Sequence, residues 1–172
     1  MNNLFLGNLM YNGYIQTPKE LGKKYLHIQA SHKGIKSISF CDKKPSEQNP
    51  NDIILSCIDQ LQGYFKGTLF RFDVPLDPDG SAFAKKVWER LCDIKFGEIK
   101  SYKQVALELG GSNYSRAIGS ANSRNPIFII IPCHRVIANN GSLSGYAGGV
   151  EIKKWLLDHE KNIIKNTKKE KI

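Results

Sequence analysis

The chain has 172 residues, 41% of them hydrophobic and 24% charged, a composition ordinary for a soluble globular protein of one compact unit or two small domains. Its longest apolar run, residues 127–132, has only the length of a strand, which excludes a membrane span of about 18 apolar residues. The net charge of +9 indicates a polyanionic partner.

The N-terminal residues, Met-Asn-Asn-Leu-Phe, lack the basic start and apolar stretch of a signal peptide. The four cysteines are widely spaced and form no C-x-x-C pair, which predicts reduced thiols. We therefore expect a cytoplasmic protein, associated with the nucleoid if it is prokaryotic, with no membrane partner.

The first part of the chain predicts a small antiparallel sheet and one helix. Residues 25–30 and 35–40 read as two strands around a turn at Lys33-Gly34. Residues 51–67 place apolar side chains at helical spacing, and residues 69–74 alternate apolar and polar side chains. The latter predicts a third strand of the same sheet.

Residues 76–80, Leu-Asp-Pro-Asp-Gly, form a dense turn signal and are the best candidate for a domain boundary. After them, Ser81 can cap a first helix, and Ser101 with Gln104 has the pattern of a capping box for a second. Gly110-Gly111 ends this second helix, and a third follows at about residues 113–122. This layout is typical of a helix-turn-helix, although many such helix pairs do not bind DNA.

Residues 127–131 predict an extended apolar segment that leads into Pro132-Cys133. A glycine-rich loop at 141–149 precedes a last helix. The final residues, 161–172, contain five lysines and one glutamate, a net of +4 out of the +7 that residues 78–172 carry. A frayed, solvated tail and a DNA-contacting tail are equally compatible with this composition.

Cys133 differs from the other cysteines in its neighbours. It follows a proline and precedes two potentially cationic side chains, His134 and Arg135. Positive charge near a thiol favours the thiolate, which is the nucleophilic form. We therefore predict a reactive Cys133, and buried, inert roles for Cys41, Cys57 and Cys92.

The hexapeptide from Ile131 to Val136, Ile-Pro-Cys-His-Arg-Val, resembles the active-site motif of the O6-alkylguanine-DNA alkyltransferase family. Similar order and spacing extend through further segments: Gly97 to Tyr102, Ser115 to Gly119, Asn125-Pro126, Leu143 to Tyr146 and Trp155 to Glu160. The resemblance covers about residues 80–160, while the first 75 residues match only in their coarse pattern of strands and helix.

The resemblance implies an α+β fold: a small three-stranded antiparallel sheet with a helix, followed by a mostly helical, winged helix-turn-helix-like domain that carries the cysteine. The implied domains are a ribonuclease H-like domain at 1–77, an alkyltransferase domain at 78–160 and a Lys-rich tail at 161–172.

The implied function is direct-reversal DNA repair. A methyl or other alkyl group moves from O6 of guanine to Cys133 in one irreversible turnover, the reaction of a methylated-DNA-[protein]-cysteine S-methyltransferase. His134, acting through a water and oriented by Glu160, resembles the base that removes the thiol proton. Tyr102 matches the tyrosine that donates a proton or hydrogen bond to N3 of the departing guanine. The size of the adduct and activity on O4-alkylthymine stay open.

The damaged nucleotide must leave the duplex to meet a cysteine in a pocket. Arg116 occupies the position of the family's intercalating arginine, which takes the place of the extruded base. Small residues in the same helix suit the narrow minor groove. The implied DNA-contacting residues are Tyr102, Lys103, Ser115, Arg116, Ala117, Gly119, Ser120 and Asn139.

The implied pocket and hinge residues are Asn125, Arg135, Val136, Tyr146 and Ala147. Asn125 resembles a hinge that ties the recognition helix to the active-site segment, and Tyr146 a wall of the pocket. Some family members bind zinc in the N-terminal domain, but Cys41, Cys57, His27 and His32 form no close-spaced pair. We predict no metal, no cofactor and no obligate protein partner, and expect a monomer that acts on double-stranded DNA containing O6-alkylguanine.

Two other classes of protein compete with this interpretation. A binding-only relative would recognise alkylated bases without repairing them, but such proteins lack the cysteine that this chain has. A winged-helix regulator would prefer a particular undamaged sequence and would show no covalent change.

Overall fold

The structure is a computed structural model that describes residues 9–44, 46, 48–143 and 145–169, apart from the side chain of Ser112. The chain divides into two compact units, Met1–Asp79 and Gly80–Ile172. Among the described residues, no helix combines the length and the apolar character that crossing a bilayer requires.

The first unit contains a three-stranded antiparallel sheet with the strand order β1-β2-β3. Its strands are β1 (Tyr11–Gln16), β2 (Tyr25–Ala30) and β3 (Ile35–Cys41), and its helix is α1 (Asp52–Lys66). The predicted hairpin is confirmed, with Ile28 opposite Ile38 and both side chains buried.

The ends of α1 lie where the sequence predicts them. The Asn51 side chain accepts a hydrogen bond from the backbone N–H of Ile54 at 3.0 Å, which satisfies one of the open donors of the first turn. Gly67 ends the helix in the left-handed conformation, with φ of 73°. The apolar face that α1 buries includes Ile54 and Leu61.

The predicted third strand at residues 69–74 is wrong, because β1 takes that place in the sheet. Residues 69–74 contact α1 instead. The Asp73 N–H donates to the Gln60 side chain at 2.7 Å, and the centroid of the Phe72 ring lies 5.7 Å from that of the Tyr64 ring. The chain meets the sheet just afterwards, through an isolated bridge between Ile35 and Leu76. The alternation of apolar and polar side chains therefore did not indicate a strand here, because these residues contact the helix.

The second unit is mostly helical. Its helices are α2 (Ala82–Cys92), α3 (Tyr102–Glu108), α4 (Ser115–Ser123) and α5 (Val150–Lys169), and two short strands, β4 (Lys100–Ser101) and β5 (Val136–Ile137), pair in parallel. Ser81 caps α2, and Ser101 and Gln104 form the predicted capping box of α3. The last helix continues to Lys169. It therefore includes residues 161–169, which one interpretation of the sequence assigned to a frayed tail.

The helix-turn-helix layout is present in α3 and α4. Gly110 and Gly111 both have positive φ, a conformation that favours glycine, and they separate the two helices. The Trp88 indole N–H donates to the Ala121 carbonyl at 2.9 Å inside the core. This hydrogen bond fixes α2 against α4.

The predicted extended segment at residues 127–131 is also wrong, because the structure has a tight turn there. The Ile130 N–H donates to the Phe128 carbonyl at 2.9 Å, and the Ile131 N–H donates to the Ile127 carbonyl at 3.1 Å. Ile129 has φ of 72°, which is rare for a β-branched residue. Ile127 and Ile129 are fully buried, so burial in a turn produces the apolar run that we interpreted as a strand.

Candidate active site

Cys133 begins a single 3-10 turn, Cys133–Arg135, directly after Pro132. Its backbone N–H donates to the Ile131 carbonyl at 2.8 Å, so the chain turns sharply at the proline. The residue is only 1% exposed. The sequence-predicted nucleophile is thus a buried thiol in a rigid turn.

Asn125 connects the end of α4 to the Cys133 turn. Its side-chain NH2 donates to the Ile131 carbonyl at 2.8 Å and lies 3.0 Å from Cys133 Sγ, while its carbonyl oxygen accepts from the Ile127 N–H at 2.9 Å. A hydrogen bond to sulfur stabilises the thiolate more than the thiol. Asn125 therefore both holds the turn and favours ionisation of the sulfur.

Burial raises the pKa of Cys133 to about 11, although the hydrogen bond from Asn125 and the charge of Lys153 act in the opposite direction. This corrects the expectation that the two neighbouring side chains would favour the thiolate. His134 and Arg135 both bind Glu160 instead. Cys133 is consequently a thiol at neutral pH and needs a base to become a nucleophile.

Glu160, on α5, gathers the groups next to Cys133. Its carboxylate lies 2.7 Å from His134 Nε2, accepts from Arg135 Nε and Nη2 at 3.0 Å each, and accepts from the Gly97 backbone N–H at 2.9 Å. Burial alone would raise the pKa of Glu160, but the hydrogen bonds and charges of His134 and Arg135 outweigh it and hold the pKa well below its usual range. The carboxylate is therefore ionised and accepts all four hydrogen bonds.

His134 is fully buried, and burial lowers its pKa although Glu160 opposes the shift. The ring is thus neutral at pH 7. Since an ionised carboxylate only accepts, Nε2 carries the proton and Nδ1 is the basic nitrogen. Among the described residues, Nδ1 has no hydrogen-bond partner.

Arg135 was predicted to line the pocket, but its contacts are with Ile94 and Glu160. Its Nη1 donates to the Ile94 carbonyl at 2.6 Å, and its other nitrogens face Glu160. We therefore assign Arg135 to holding Glu160.

Tyr102, the first residue of α3, lies beside the Cys133 turn. Burial, reinforced by Cys133, raises the pKa of Tyr102, so its hydroxyl keeps its proton at neutral pH. The Asn122 side-chain NH2 lies 3.5 Å from this hydroxyl and donates to the Cys133 carbonyl at 3.3 Å. Asn122, which sequence reasoning missed, therefore bridges the predicted acid and the predicted nucleophile.

Lys153 is the second residue that sequence reasoning missed. It is fully buried on α5, and its ammonium group donates to the Val136 carbonyl at 2.6 Å and lies 6.0 Å from the centre of the Tyr102 ring. Burial lowers its pKa, while Cys133 opposes this shift. Helical periodicity did not predict the burial of Lys153, because a lysine in an amphipathic helix normally lies on the face exposed to solvent.

Tyr146 is 7% exposed and packs against Phe128, with ring centroids 5.5 Å apart. Its hydroxyl is buried, and no partner for it exists in the described ranges. Ala147, by contrast, is exposed. Ser144, quoted above within one of the matching segments, lies outside the described residues.

The predicted DNA-contacting residues fall on two surfaces of the second unit. On α4, Arg116 and Ser120 are exposed, whereas Ser115, Ala117 and Gly119 are half-buried. Lys103 and Asn139 lie apart from that helix and line one cleft of about 470 Å³ together with Gln104. The structure thus brings Lys103 and Asn139 to one cleft, and their contact with DNA stays a prediction.

Within the described ranges, no three side chains of histidine, cysteine, aspartate or glutamate come together as a possible metal-ligand set.

Both units match known families. Residues 82–162 match the DNA-binding domain of 6-O-methylguanine DNA methyltransferase, and residues 10–78 match its ribonuclease-like domain. A methylated-DNA–protein-cysteine methyltransferase of Methanosarcina barkeri is 41% identical over 91% of this chain and 100% of its own length. The chain therefore belongs to the O6-methylguanine DNA methyltransferase family.

Solved structures agree with this assignment. The crystal structure of O6-methylguanine methyltransferase from Mycobacterium tuberculosis has a TM-score of 0.77 at 34% identity, covering 90% of this chain and 94% of that chain. The crystal structure of Mycobacterium tuberculosis OGT in complex with DNA has a TM-score of 0.76 at 37% identity, covering 88% and 93%. The α+β fold predicted from the sequence is thereby confirmed.

Proposed function

We propose that this protein repairs alkylated DNA by transferring an alkyl group from O6 of guanine to the sulfur of its own Cys133. The observation that carries the proposal is a buried thiol followed by a His134–Glu160 pair at 2.7 Å. A neutral imidazole whose far nitrogen is held by a carboxylate is suited to act as a general base.

In the proposed reaction, Cys133 Sγ attacks the alkyl carbon on the side opposite O6. A carbon–sulfur bond forms while the carbon–O6 bond breaks, and the electron pair of that bond goes to guanine. His134 Nδ1 takes the thiol proton through a water, and the Tyr102 hydroxyl gives a proton to guanine N3. The proton on His134 returns through solvent to Tyr102, and guanine reaches its ordinary form when it gives the N3 proton to solvent and takes one up at N1.

The products are S-alkylcysteine and unmodified guanine. A thioether does not hydrolyse, so each molecule reacts once and needs no cofactor.

Three buried polar atoms near Cys133 support a substrate site there. They are Asn122 Oδ1, His134 Nδ1 and Tyr146 Oη, none of which has a partner among the described residues. Buried polar groups are rarely left without hydrogen bonds. A guanine with its donors and acceptors would supply partners for Asn122 and Tyr146, and the water of the proposed reaction would supply one for His134. The carbonyls of Cys133 and Val136 each keep a second lone pair beside their contacts with Asn122 and Lys153.

The burial of Cys133 also favours nucleotide flipping, because a base stacked in a duplex cannot reach a residue that is 1% exposed. DNA is the partner of the family's domain that residues 82–162 match. We assign Arg116, exposed on α4, to the place of the extruded base, and Lys103 and Asn139 to the DNA backbone. The protein acts as a monomer in this proposal.

The test is to mix the protein with a duplex that contains one O6-methylguanine and to measure the masses of both. The protein should gain one methyl group as the oligonucleotide loses one. Cys133→Ala should bind the duplex without transfer. Cys57→Ala is the matched control, since Cys57 is also a buried thiol, with its pKa raised to about 12, and it should react like the unaltered protein. Transfer by Cys133→Ala would refute the proposal.

A further inference from the structure

An exposed aromatic pair in the second unit takes no part in the proposed chemistry. Phe83 on α2 and Tyr114, directly before α4, have ring centroids 6.0 Å apart and ring planes at 36°. Phe83 is 36% exposed and Tyr114 is 46% exposed. Single exposed apolar residues are ordinary, but an adjoining aromatic pair indicates a contact surface.

The surrounding helices hold this pair in place. The hydrogen bond from Trp88 to Ala121 fixes α2 against α4, and the Tyr114 N–H donates to the Gly111 carbonyl at 3.2 Å. A preorganised surface loses little conformational entropy when it binds a partner. The pair is therefore suited to a rigid contact.

Two exposed cations lie near the pair along the chain. Lys86 follows Phe83 by one helical turn on the same side of α2, and Arg116 is the second residue of α4, two residues after Tyr114. Aromatic side chains accompanied by cations are typical of surfaces that bind nucleic acid, where the rings contact bases or sugars and the cations contact phosphates. Phe83, Tyr114 and both cations lie in the region that matches the family's DNA-binding domain.

We propose that Tyr114, supported by Phe83, packs against the DNA minor groove beside Arg116 and contacts the sugar edges and the base step that opens when the damaged nucleotide leaves. This inference rests on the proposed function, since it requires α4 to lie at the minor groove. The contact is apolar and does not release counterions. Its contribution to affinity is therefore independent of salt, unlike that of Lys86.

The test measures duplex affinity in a Cys133→Ala background, which prevents transfer, at several salt concentrations. Tyr114→Ala should weaken binding about tenfold with an unchanged slope of log affinity against log salt, and Tyr114→Phe should restore the affinity. Lys86→Gln should instead reduce that slope by about one. Phe70→Ala is the matched control, because Phe70 is 48% exposed in the other unit, and it should have no effect.

Tyr114→Gln and Phe83→Ala are second variants, and tryptophan fluorescence during urea unfolding checks that each variant is folded. The inference is overturned if folded Tyr114→Ala and Tyr114→Gln bind as tightly as their parent, or if their loss of affinity disappears at high salt. Transfer by the unaltered protein from the free base O6-methylguanine is measured separately. If neither the free base nor the duplex is demethylated, the proposed function fails, while the affinities still decide the role of Tyr114.

Discussion

At the scale of single residues, Cys133 must be both protected and reactive. Its burial raises the pKa of the thiol to about 11, so few molecules hold a thiolate at neutral pH. Asn125 and Lys153 favour ionisation, and His134 supplies a base. Cys133 is therefore a thiol in the resting protein, and the thiolate forms only when the base removes its proton.

Lys153→Met should slow alkyl transfer, because the buried cation that lowers the pKa of Cys133 is lost and that pKa rises further. At a pH below the pKa, each unit of increase reduces the thiolate fraction about tenfold. We expect the single-turnover rate to fall and its rise with pH to move to higher pH. Lys154→Met, which changes an exposed lysine beside it, should leave the profile unchanged, and identical profiles for the two variants would contradict this role.

Tyr102→Phe should slow the chemical step and leave DNA binding intact, since it removes only the hydroxyl that we assign to protonating guanine. General acid catalysis contributes about 100-fold or more to a rate. Rapid-quench measurement with excess protein separates this step from binding. A single-turnover rate equal to that of the unaltered protein would remove Tyr102 as the proton donor.

At the scale of elements, the sequence predicted the structures with local signals and missed those that depend on neighbours. The side chains of Asn51, Ser81 and Ser101 cap their helices through hydrogen bonds to backbone N–H groups three residues on. The caps at Ser81 and Ser101 were predicted, as was the start of α1 near residue 51. By contrast, β1 contains Asn12 and Gly13, which weaken a strand pattern. It joins the sheet by pairing with β2, and Gly13 lies close to Ile54 of α1, which is far along the chain.

The same limit applies to the site. The roles of Cys133, His134, Glu160, Tyr102 and Arg116 were predicted from their resemblance to a family and await the experiments above. The spacing of apolar residues in a helix does not show that a lysine or an asparagine is buried. Lys153 and Asn122 were therefore identified only in the structure. Likewise, an apolar run does not distinguish the turn around Ile129 from a strand.

Gly13→Ala should destabilise the first unit. A Cβ at residue 13 would lie 2.6 Å from Ile54 Cγ2, and such overpacking costs about 1–3 kcal/mol. Urea unfolding followed by circular dichroism measures the change. In an Ile54→Ala background, which removes the clashing carbon, the cost of Gly13→Ala should be smaller, and an equal cost in both backgrounds would rule out this clash.

At the scale of the whole molecule, the two units divide the tasks of the protein. The second unit holds every residue that we assign to the reaction, and residues 78–172 carry sixteen Lys or Arg against nine Asp or Glu, a net of +7. The first 77 residues carry a net of only +2. Attraction to DNA is therefore concentrated where the chemistry is.

Stability of the second unit should fall in acid. In the folded protein, the pKa of Glu160 is lowered from 4.5 and that of His134 from 6.5. The unfolded chain therefore binds more protons than the folded chain as the pH decreases below about 6.5. The stability that these groups contribute is complete above pH 6.5 and decreases as the pH falls toward their folded-state values. Both tryptophans lie in this unit, so their fluorescence during urea unfolding reports on it alone.

Glu160→Gln should lower the free energy of unfolding at pH 7 by about 3 kcal/mol, because it leaves Arg135 buried without its counter-charge, and it should flatten the dependence on pH. Asp158→Asn, an exposed carboxylate on the same helix, is the control. Parallel pH profiles for Glu160→Gln and the unaltered protein would contradict the assignment.

The most direct test of the central claim is a titration with excess O6-methylguanine duplex, followed by mapping of the methyl group among the four cysteines. We predict that repair stops at one lesion per protein molecule and that the methyl group is found on Cys133 alone. Repair beyond one equivalent, or a methyl group on Cys41, Cys57 or Cys92, would contradict the account.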